Sequence, residues 1–422
     1  MAPNRMMVIR LQLLFFSFAL FNLIMSFPNN MLKNHIKYYF SIKINKIKSL
    51  DFKNPLPIES FKSKKSNFDN ILQRMKIEKA SASNLDNVDF ENLTFGSVFT
   101  DHMFVCKYKN GKWQTPEVLP YKSLSFEPSM SVLHYGQAVF EGMKAYKDDQ
   151  GKIWLFRPDQ NFKRINRSAE RLQIPAFPED FFFKGLKSLL DLDKEWIKPG
   201  IGNSLYVRPF VFSSQACVQA SPSLEYTFII ICCPVKAYYG GEVNVLIAEE
   251  FSRAADGGIG YTKAAGNYAA QFYPTALAEK QGYQQIVWTD AKSHEFLEEA
   301  GTMNIFFRID NKLLTAPTND RILDGVTRKS VIQIARDSGI EVEVRPIRID
   351  EIVEASKNNS LKEMFGSGTA VVINPINSFG YKGVNYKLPK LEDPVAKKLK
   401  DKIMSIQYNL SEDPYGWRVA VD

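Results

Sequence analysis

The stretch YTKAAGNY, Tyr261–Tyr268, decides how this chain is read. It sets one lysine, Lys263, among small residues, with Asn267 and Tyr268 close behind. An amine acts as a nucleophile only when neutral, and burial or a neighbouring cation lowers its pKa. Ala264, Ala265 and Gly266 supply small, largely apolar surroundings. A lysine in such a loop is ordinarily just solvated, so the segment needs partners. Three later stretches offer them: EEAGTMN (Glu298–Asn304), ILDGVTRKS (Ile322–Ser330) and FGSGTA (Phe365–Ala370). They add carboxylates and two glycine turns with free backbone amides. Glu298 and Glu299 are adjacent, so on a strand they point to opposite faces and only one can face a site. Gly325 marks a turn into a helix, whose first amides suit an anion. Taken singly, each has an ordinary reading: a solvated acidic pair, a helix start, a plain turn.

At 422 residues the chain has room for two domains with substantial cores. Hydrophobic residues make up 45% and charged residues 24%, the balance of a soluble globular protein. The net charge of +8 is concentrated at the start. Arg5, Arg10, Lys33, Lys37, Lys43, Lys46 and Lys48 all precede Asp51, the first acidic residue, and the remainder is near neutral. A nucleic-acid footprint would place basic charge on the folded part, so no nucleic-acid partner is expected. Cys106, Cys217, Cys232 and Cys233 lack zinc spacing and read as buried free thiols of a reducing compartment. His35, His102, His134 and His294 form no metal pattern, and His134 reads as a structural neighbour of Tyr135. No metal is expected.

Residues 1–90 read as a targeting leader and polar tether. The apolar run Leu11–Phe27 is short for a membrane span and interrupted by Gln12 and Asn22. A start at Met31 would open on MLKNHIKYYFSIKINKIKSL, basic and acid-free, in the manner of a mitochondrial presequence. A mitochondrial location is therefore expected, the alternatives being cytoplasmic, or secretory or membrane-anchored through residues 11–27. No membrane association is expected once the leader is removed. From about Leu93 the composition becomes globular. Apolar runs predict strands at Met103–Tyr108, Ile153–Phe156, Tyr206–Phe212, Tyr226–Cys233, Val243–Ala248 and Gln285–Thr289. Phe162, Ile165, Ala169 and Leu172 share one face of a helix. A second helix follows Gly325, with Val331, Ile334 and Ala335 inward and Gly339 as its stop. Strands mixed irregularly with helices argue α+β.

HYGQAVFEGMKAY (His134–Tyr146) and YVRP (Tyr206–Pro209) complete the ordered set of motifs. From about Thr94 onward the chain resembles the branched-chain amino acid aminotransferases, pyridoxal-phosphate enzymes of fold type IV. The resemblance implies two domains with the cofactor, pyridoxal 5′-phosphate, in the cleft between them: a smaller one over 91–240, a linker over 241–253 and a larger cofactor-binding one over 254–422. It implies that Lys263 bonds to the cofactor aldehyde and then moves the proton at the substrate α carbon. Tyr268 would bond the phenolic oxygen, and Glu299, chosen by register, the ring nitrogen. Arg164, Thr302, Thr369 and the amides of Val326 and Thr327 would complete the cofactor site. Of Arg164, Arg167 and Arg171 on one helical flank, only Arg164 aligns with the phosphate arginine. Tyr135, Phe140 and Tyr238, with Phe95, would wall the side-chain pocket. Tyr206 and the Thr369–Ala370 amides would hold the α-carboxylate, and Arg208 the second carboxylate of glutamate. The implied reaction moves amino groups between Leu, Ile or Val and 2-oxoglutarate in a ping-pong cycle, on amino acid and 2-oxo acid substrates. A homodimer is implied as well, Tyr135 being lent across subunits in that family. GTAVVINPI stands where mammalian members carry a Cys-x-x-Cys, so no thiol switch is expected there. Competing readings are a D-amino acid aminotransferase, an aminodeoxychorismate lyase, or a non-catalytic membrane-anchored protein on the same scaffold.

Overall fold

Two β-sheets organise the chain in the computed structural model, which describes residues 75–421 apart from 237–240 and 242. The leader up to residue 74 and Tyr238 lie outside the described residues. The first sheet runs in the order Lys76–Ile77, Glu117–Pro120, His102–Lys109, Tyr226–Val235, Ser204–Ser213, Met143–Lys147, Ile153–Phe156 and Arg418–Ala420. Ala138–Phe140 adds a short strand against Ser204–Ser213. The second sheet runs Glu341–Val344, Lys312–Thr315, Met303–Ile309, Leu361–Gly368, Val372–Tyr381, Val243–Ile247, Gln285–Thr289, Phe296–Ala300 and Ile347–Arg348. It mixes parallel and antiparallel pairs, which is the α+β class expected.

The predicted strands form; three of them run longer by two or three residues because backbone pairing continues past the apolar run, and Val243–Ile247 ends one residue short. Tyr226–Val235 shows why FIIICC can be apolar throughout. Phe228, Ile230 and Cys232 enter the core beneath the helices. Ile229 faces a second cluster with Met103, Val105 and Phe212. Period-two alternation therefore finds apolar partners on both faces. The helix Pro158–Arg171 buries Phe162, Ile165 and Ala169, while Leu172 caps it. Val326–Asp337 buries Val331, Ile334 and Ala335, and the chain turns out of it at Gly339 with φ +76°.

Three boundaries differ from the sequence reading. The chain is already folded within the stretch read as tether: Lys76–Ile77 pairs in parallel with Glu117–Val118, and the Ala80 amide donates to His102 at 2.9 Å. The stretch read as linker contains a strand of the second sheet, Val243–Ile247. Arg418–Ala420, expected with the C-terminal part, pairs instead with Trp154–Phe156 in the first sheet. Two residues of backbone pairing leave no compositional trace, which is why polarity alone misplaced the first boundary. Of the cysteines, Cys106, Cys232 and Cys233 are buried, whereas Cys217 is half-buried. Among the described residues no helix is long and apolar enough to cross a membrane.

The helix Glu179–Leu192 lies so close to the first sheet that a β-carbon on Gly185 would collide with the Phe104 ring. Gly185→Ala is expected to lower the unfolding free energy by about 1–3 kcal/mol through overpacking, read from urea or thermal denaturation.

Candidate active site

Lys263 is placed by backbone pairing. Ala264 forms an isolated antiparallel bridge to Val139. The Phe140 amide donates to the Lys263 carbonyl at 3.1 Å, and the Ala265 amide to Ala138 at 3.0 Å. The small residues around Lys263 are needed for this close approach, and Ala264 is fully buried. The Lys263 amide is fixed by Ser168 Oγ at 3.1 Å. The side chain leaves this edge to donate to the Tyr268 hydroxyl at 2.7 Å. Tyr268 comes from the short helix Gly266–Ala269, and its ring lies 4.7 Å from that of Phe140. The lysine ammonium sits 4.9 Å from the Phe140 centroid.

Arg164 is turned inward from its helix, unlike its neighbours on the same flank. Its Nε and Nη2 donate to Glu141 at 2.6 and 2.9 Å, and its Nη1 to the Asp324 carbonyl at 3.0 Å. Burial works against both charges, but each offsets it for the other: Arg164 is held above its ordinary pKa and Glu141 below the usual carboxylate range. Asn161 donates to the same carboxylate at 2.8 Å. One residue beyond Asp324, Gly325 leads into the helix Val326–Asp337 with no side-chain cap. A β-carbon on Gly325 would collide with Asn304 Oδ1. The first-turn amides, those of Val326 and Thr327 among them, are therefore left without intrahelical acceptors beside a buried guanidinium.

Glu298 and Glu299 are both buried, which overturns the solvated-pair reading, and each has its own arginine. Glu298 is paired with Arg321, and burial pushes its carboxyl up to about 7. Glu299 accepts from Arg253 at 2.5 Å, from Asn304 Nδ2 at 3.2 Å and from the Leu323 amide at 3.3 Å. Burial raises its pKa, and the Arg253 charge opposes the rise. Leu323 and Asn304 join this carboxylate to the Gly325 turn, since Asn304 also donates to the Leu323 carbonyl at 2.9 Å.

Tyr206 and Arg208 project from the same side of Ser204–Ser213. Arg208 Nη2 donates to the Tyr206 hydroxyl at 3.0 Å, and the guanidinium lies 4.6 Å from the Phe140 centroid. Arg208 Nε is buried without a partner, and no carboxylate pairs with Arg208 among the described residues. The Phe95 ring meets Tyr206 edge-on at 5.0 Å. Gly142 is a glycine because the Tyr206 hydroxyl occupies its β-carbon position. The Thr369 hydroxyl donates to the Gly142 carbonyl at 3.2 Å, tying the second glycine turn to the first sheet. Thr302, Thr369 and Ala370 line one cavity of about 490 Å³.

Lys263, Tyr268, Phe140, Arg208 and Tyr206 thus form one chain of contacts, with Phe95 at its end. Arg164 and Glu299 both meet the Asp324–Gly325 turn. Tyr135 stands apart: it is 45% exposed and its hydroxyl donates to the Val218 carbonyl. The sequence reading singled out neither Glu141 nor Arg253. Glu141 lies within a quoted motif, but a glutamate there reads as solvated. Arg253 sits in an irregular segment without periodicity, so no sequence signal marks it.

The donor set fits a phosphorylated pyridine aldehyde. Lys263 would be the amine for the aldehyde, Tyr268 the phenol for the ring hydroxyl and Glu299 the carboxylate for the ring nitrogen. Arg164 and the Val326 and Thr327 amides suit the phosphate. The chain matches the amino-transferase class IV family over residues 138–379. It is 42% identical over 355 residues to a probable branched-chain-amino-acid aminotransferase of Staphylococcus epidermidis, a match covering 83% of this chain and 99% of the relative. It is 42% identical over 339 residues to branched-chain-amino-acid transaminase 1 of Bacillus subtilis, covering 79% of this chain and 95% of that protein. Its fold is similar to the crystal structure of a Thermoproteus uzoniensis branched-chain aminotransferase with norvaline, at a TM-score of 0.63 and 24% identity, covering 76% of this chain and all of that one.

Glu141→Gln leaves Arg164 buried beside an uncharged partner. The substitution is expected to cost about 3–5 kcal/mol of stability, read by thermal unfolding, and to weaken pyridoxal phosphate binding, read by titration of the cofactor absorbance.

Proposed function

This chain belongs to the class IV aminotransferases, as a branched-chain-amino-acid aminotransferase, and from that premise we propose that it exchanges amino groups between L-leucine, L-isoleucine or L-valine and 2-oxoglutarate in two half-reactions at one site. The observation that carries this reading is Arg208, a guanidinium with no carboxylate partner among the described residues, lying over the same Phe140 ring that Lys263 faces. An apolar side chain meets the aromatic rings of Phe140 and Tyr206, while the second carboxylate of glutamate meets the guanidinium donors. One pocket then serves both substrates, so the first product leaves before the second substrate enters, which is ping-pong behaviour.

Pyridoxal phosphate, when bound, supplies a carbonyl that carries the amino group and a ring that draws electrons from the α carbon. Lys263 moves the proton at that carbon, its amine oriented by the Tyr268 hydroxyl. Glu299, held by Arg253, keeps the ring nitrogen protonated. Arg164, anchored by Glu141, holds the phosphate together with the Val326 and Thr327 amides, and Thr302 and Thr369, which line a cavity with Ala370, complete the cofactor site as the family resemblance implies. Tyr206 and the Thr369–Ala370 amides receive the α-carboxylate. The site is read as lying between a smaller part, residues 91–240, and a larger one, residues 254–422, as the family resemblance implies.

The enzyme is read as a homodimer. Leu133, Tyr135 and Val218 present apolar surface, and the exposed Tyr135 is suited to a partner's pocket. The acid-free basic leader supports import into mitochondria, with a cytoplasmic or a membrane-anchored protein as the alternatives. Imaging the first ninety residues fused to a fluorescent reporter separates them.

Purified enzyme with pyridoxal phosphate is expected to transaminate L-leucine, and not D-alanine, with 2-oxoglutarate. Activity on D-alanine alone would move the protein to the D-amino acid enzymes. Lys263→Ala is expected to abolish both turnover and the borohydride-fixed cofactor adduct. Arg208→Met is expected to reduce kcat/KM for glutamate roughly tenfold more than for leucine; equal losses would remove Arg208 from this role.

A further inference from the structure

Lys144 lies in the strand Met143–Lys147 and is 7% exposed. Its ammonium donates to the Ala370 carbonyl at 2.7 Å. No carboxylate pairs with it among the described residues. A buried cation without a counter-ion carries a desolvation cost of several kcal/mol, which a visiting anion would offset. The groups that face it supply none. Lys400, from the helix Val395–Gln407, is a like charge. Cys233, from the strand Tyr226–Val235, is a thiol that burial pushes up to about 11, so it stays neutral. Tyr206, its partner in the neighbouring strand, is already engaged by Arg208. The turn bearing Thr369 and Ala370 is thus clamped to the first sheet twice, by Thr369 on the Gly142 carbonyl and by Lys144 on the Ala370 carbonyl.

We propose that Lys144 is a positioning residue for the substrate carboxylate: it holds the Thr369–Ala370 turn in place and sets a positive charge behind that turn that draws a carboxylate onto its amides. This rests on the reading that those amides receive the α-carboxylate. Arg208 and Lys144 then divide the work, the first serving the distal carboxylate of glutamate and the second the carboxylate common to every substrate.

Burial pushes the Lys144 ammonium down to about 8, and the Lys400 charge adds to the fall. Its positive charge is therefore present at neutral pH and lost as pH rises through that value. The carboxylate anchor weakens in the same window.

The probe is 4-methylpentanoate, the leucine skeleton without its amine, which stays ionised throughout. Its Kd is read on the holoenzyme from the cofactor absorbance at about pH 7 and about pH 9.5, on either side of the lysine's titration. Lys144→Met is expected to weaken binding roughly tenfold at the lower pH, the loss of one charge-assisted contact. That deficit is expected to shrink toward none at the higher pH, where the wild-type lysine is neutral. Lys144→Arg, charged throughout, is expected to bind like the wild type at the lower pH and more tightly at the higher. A Lys144→Met enzyme that binds like the wild type at the lower pH, or shows the same deficit at both, overturns the proposal. Should that variant fail to fold, wild type and Lys144→Arg decide alone, and parallel profiles overturn it. A wild-type protein that shows no cofactor band refutes the reading of the site itself, an outcome distinct from a band that responds to the probe regardless of residue 144.

Discussion

The site depends on the cost of burying charge. Arg164, Glu141, Glu298 and Glu299 are all withdrawn from water. An isolated ion would not survive there, so each has a counter-ion at hydrogen-bond distance. The pairing fixes geometry as well as charge. Arg164 answers Glu141 on the first sheet and the Asp324 carbonyl beside the second, so the guanidinium spans the seam between them. Glu299 is fixed from three directions by Arg253, Asn304 and Leu323. Side chains locked in this way meet a charged ligand without first reorganising. Among the described residues the exceptions include Arg208, Lys144 and Arg328, none of which has an ion pair with an acid; the first two are those proposed to sit near the substrate carboxylates.

Much of the frame was legible because it rests on local pattern. Ile153–Phe156 and Gln285–Thr289 begin and end where their apolar runs do. The helix after Gly325 follows from inward-facing Val331 and Ile334 and a glycine stop. Lys263, Tyr268 and Arg208 were legible through ordered motifs, and the fold brings them into a single line of contacts. What stayed hidden is set by tertiary partners. A lysine in mid-strand reads as solvent-facing, and only the arrival of Ala370, more than two hundred positions later, shows that Lys144 is buried. Arg253 lies ten residues before Lys263 in a segment with no regular structure, where neither spacing nor hydrophobicity points at Glu299. Nor can sequence show that the Tyr135 hydroxyl is taken up by the Val218 carbonyl of a half-exposed surface, because a tyrosine beside a glycine turn suits a pocket wall and a surface equally well.

Glycine has a particular use here. Gly142 makes room for the Tyr206 hydroxyl and Gly325 for the Asn304 amide. Each sits where a polar side chain must come close to backbone. Neither requires an unusual φ, so the constraint is volume rather than conformation. The second glycine turn meets the first sheet through Thr369 and Ala370, whose hydrogen bonds to the Gly142 carbonyl and from Lys144 tie the two sheets together there.

The strand Arg418–Ala420 closes an edge of a sheet whose other members all precede residue 236. During synthesis the ribosome makes the whole second sheet before that strand exists. The nascent first sheet therefore waits with the outer edge of Ile153–Phe156 unpaired, a sticky edge that a chaperone or a neighbouring polysome chain can reach. Its closure follows synthesis of the second sheet, so the two halves cannot mature one after the other as independent beads.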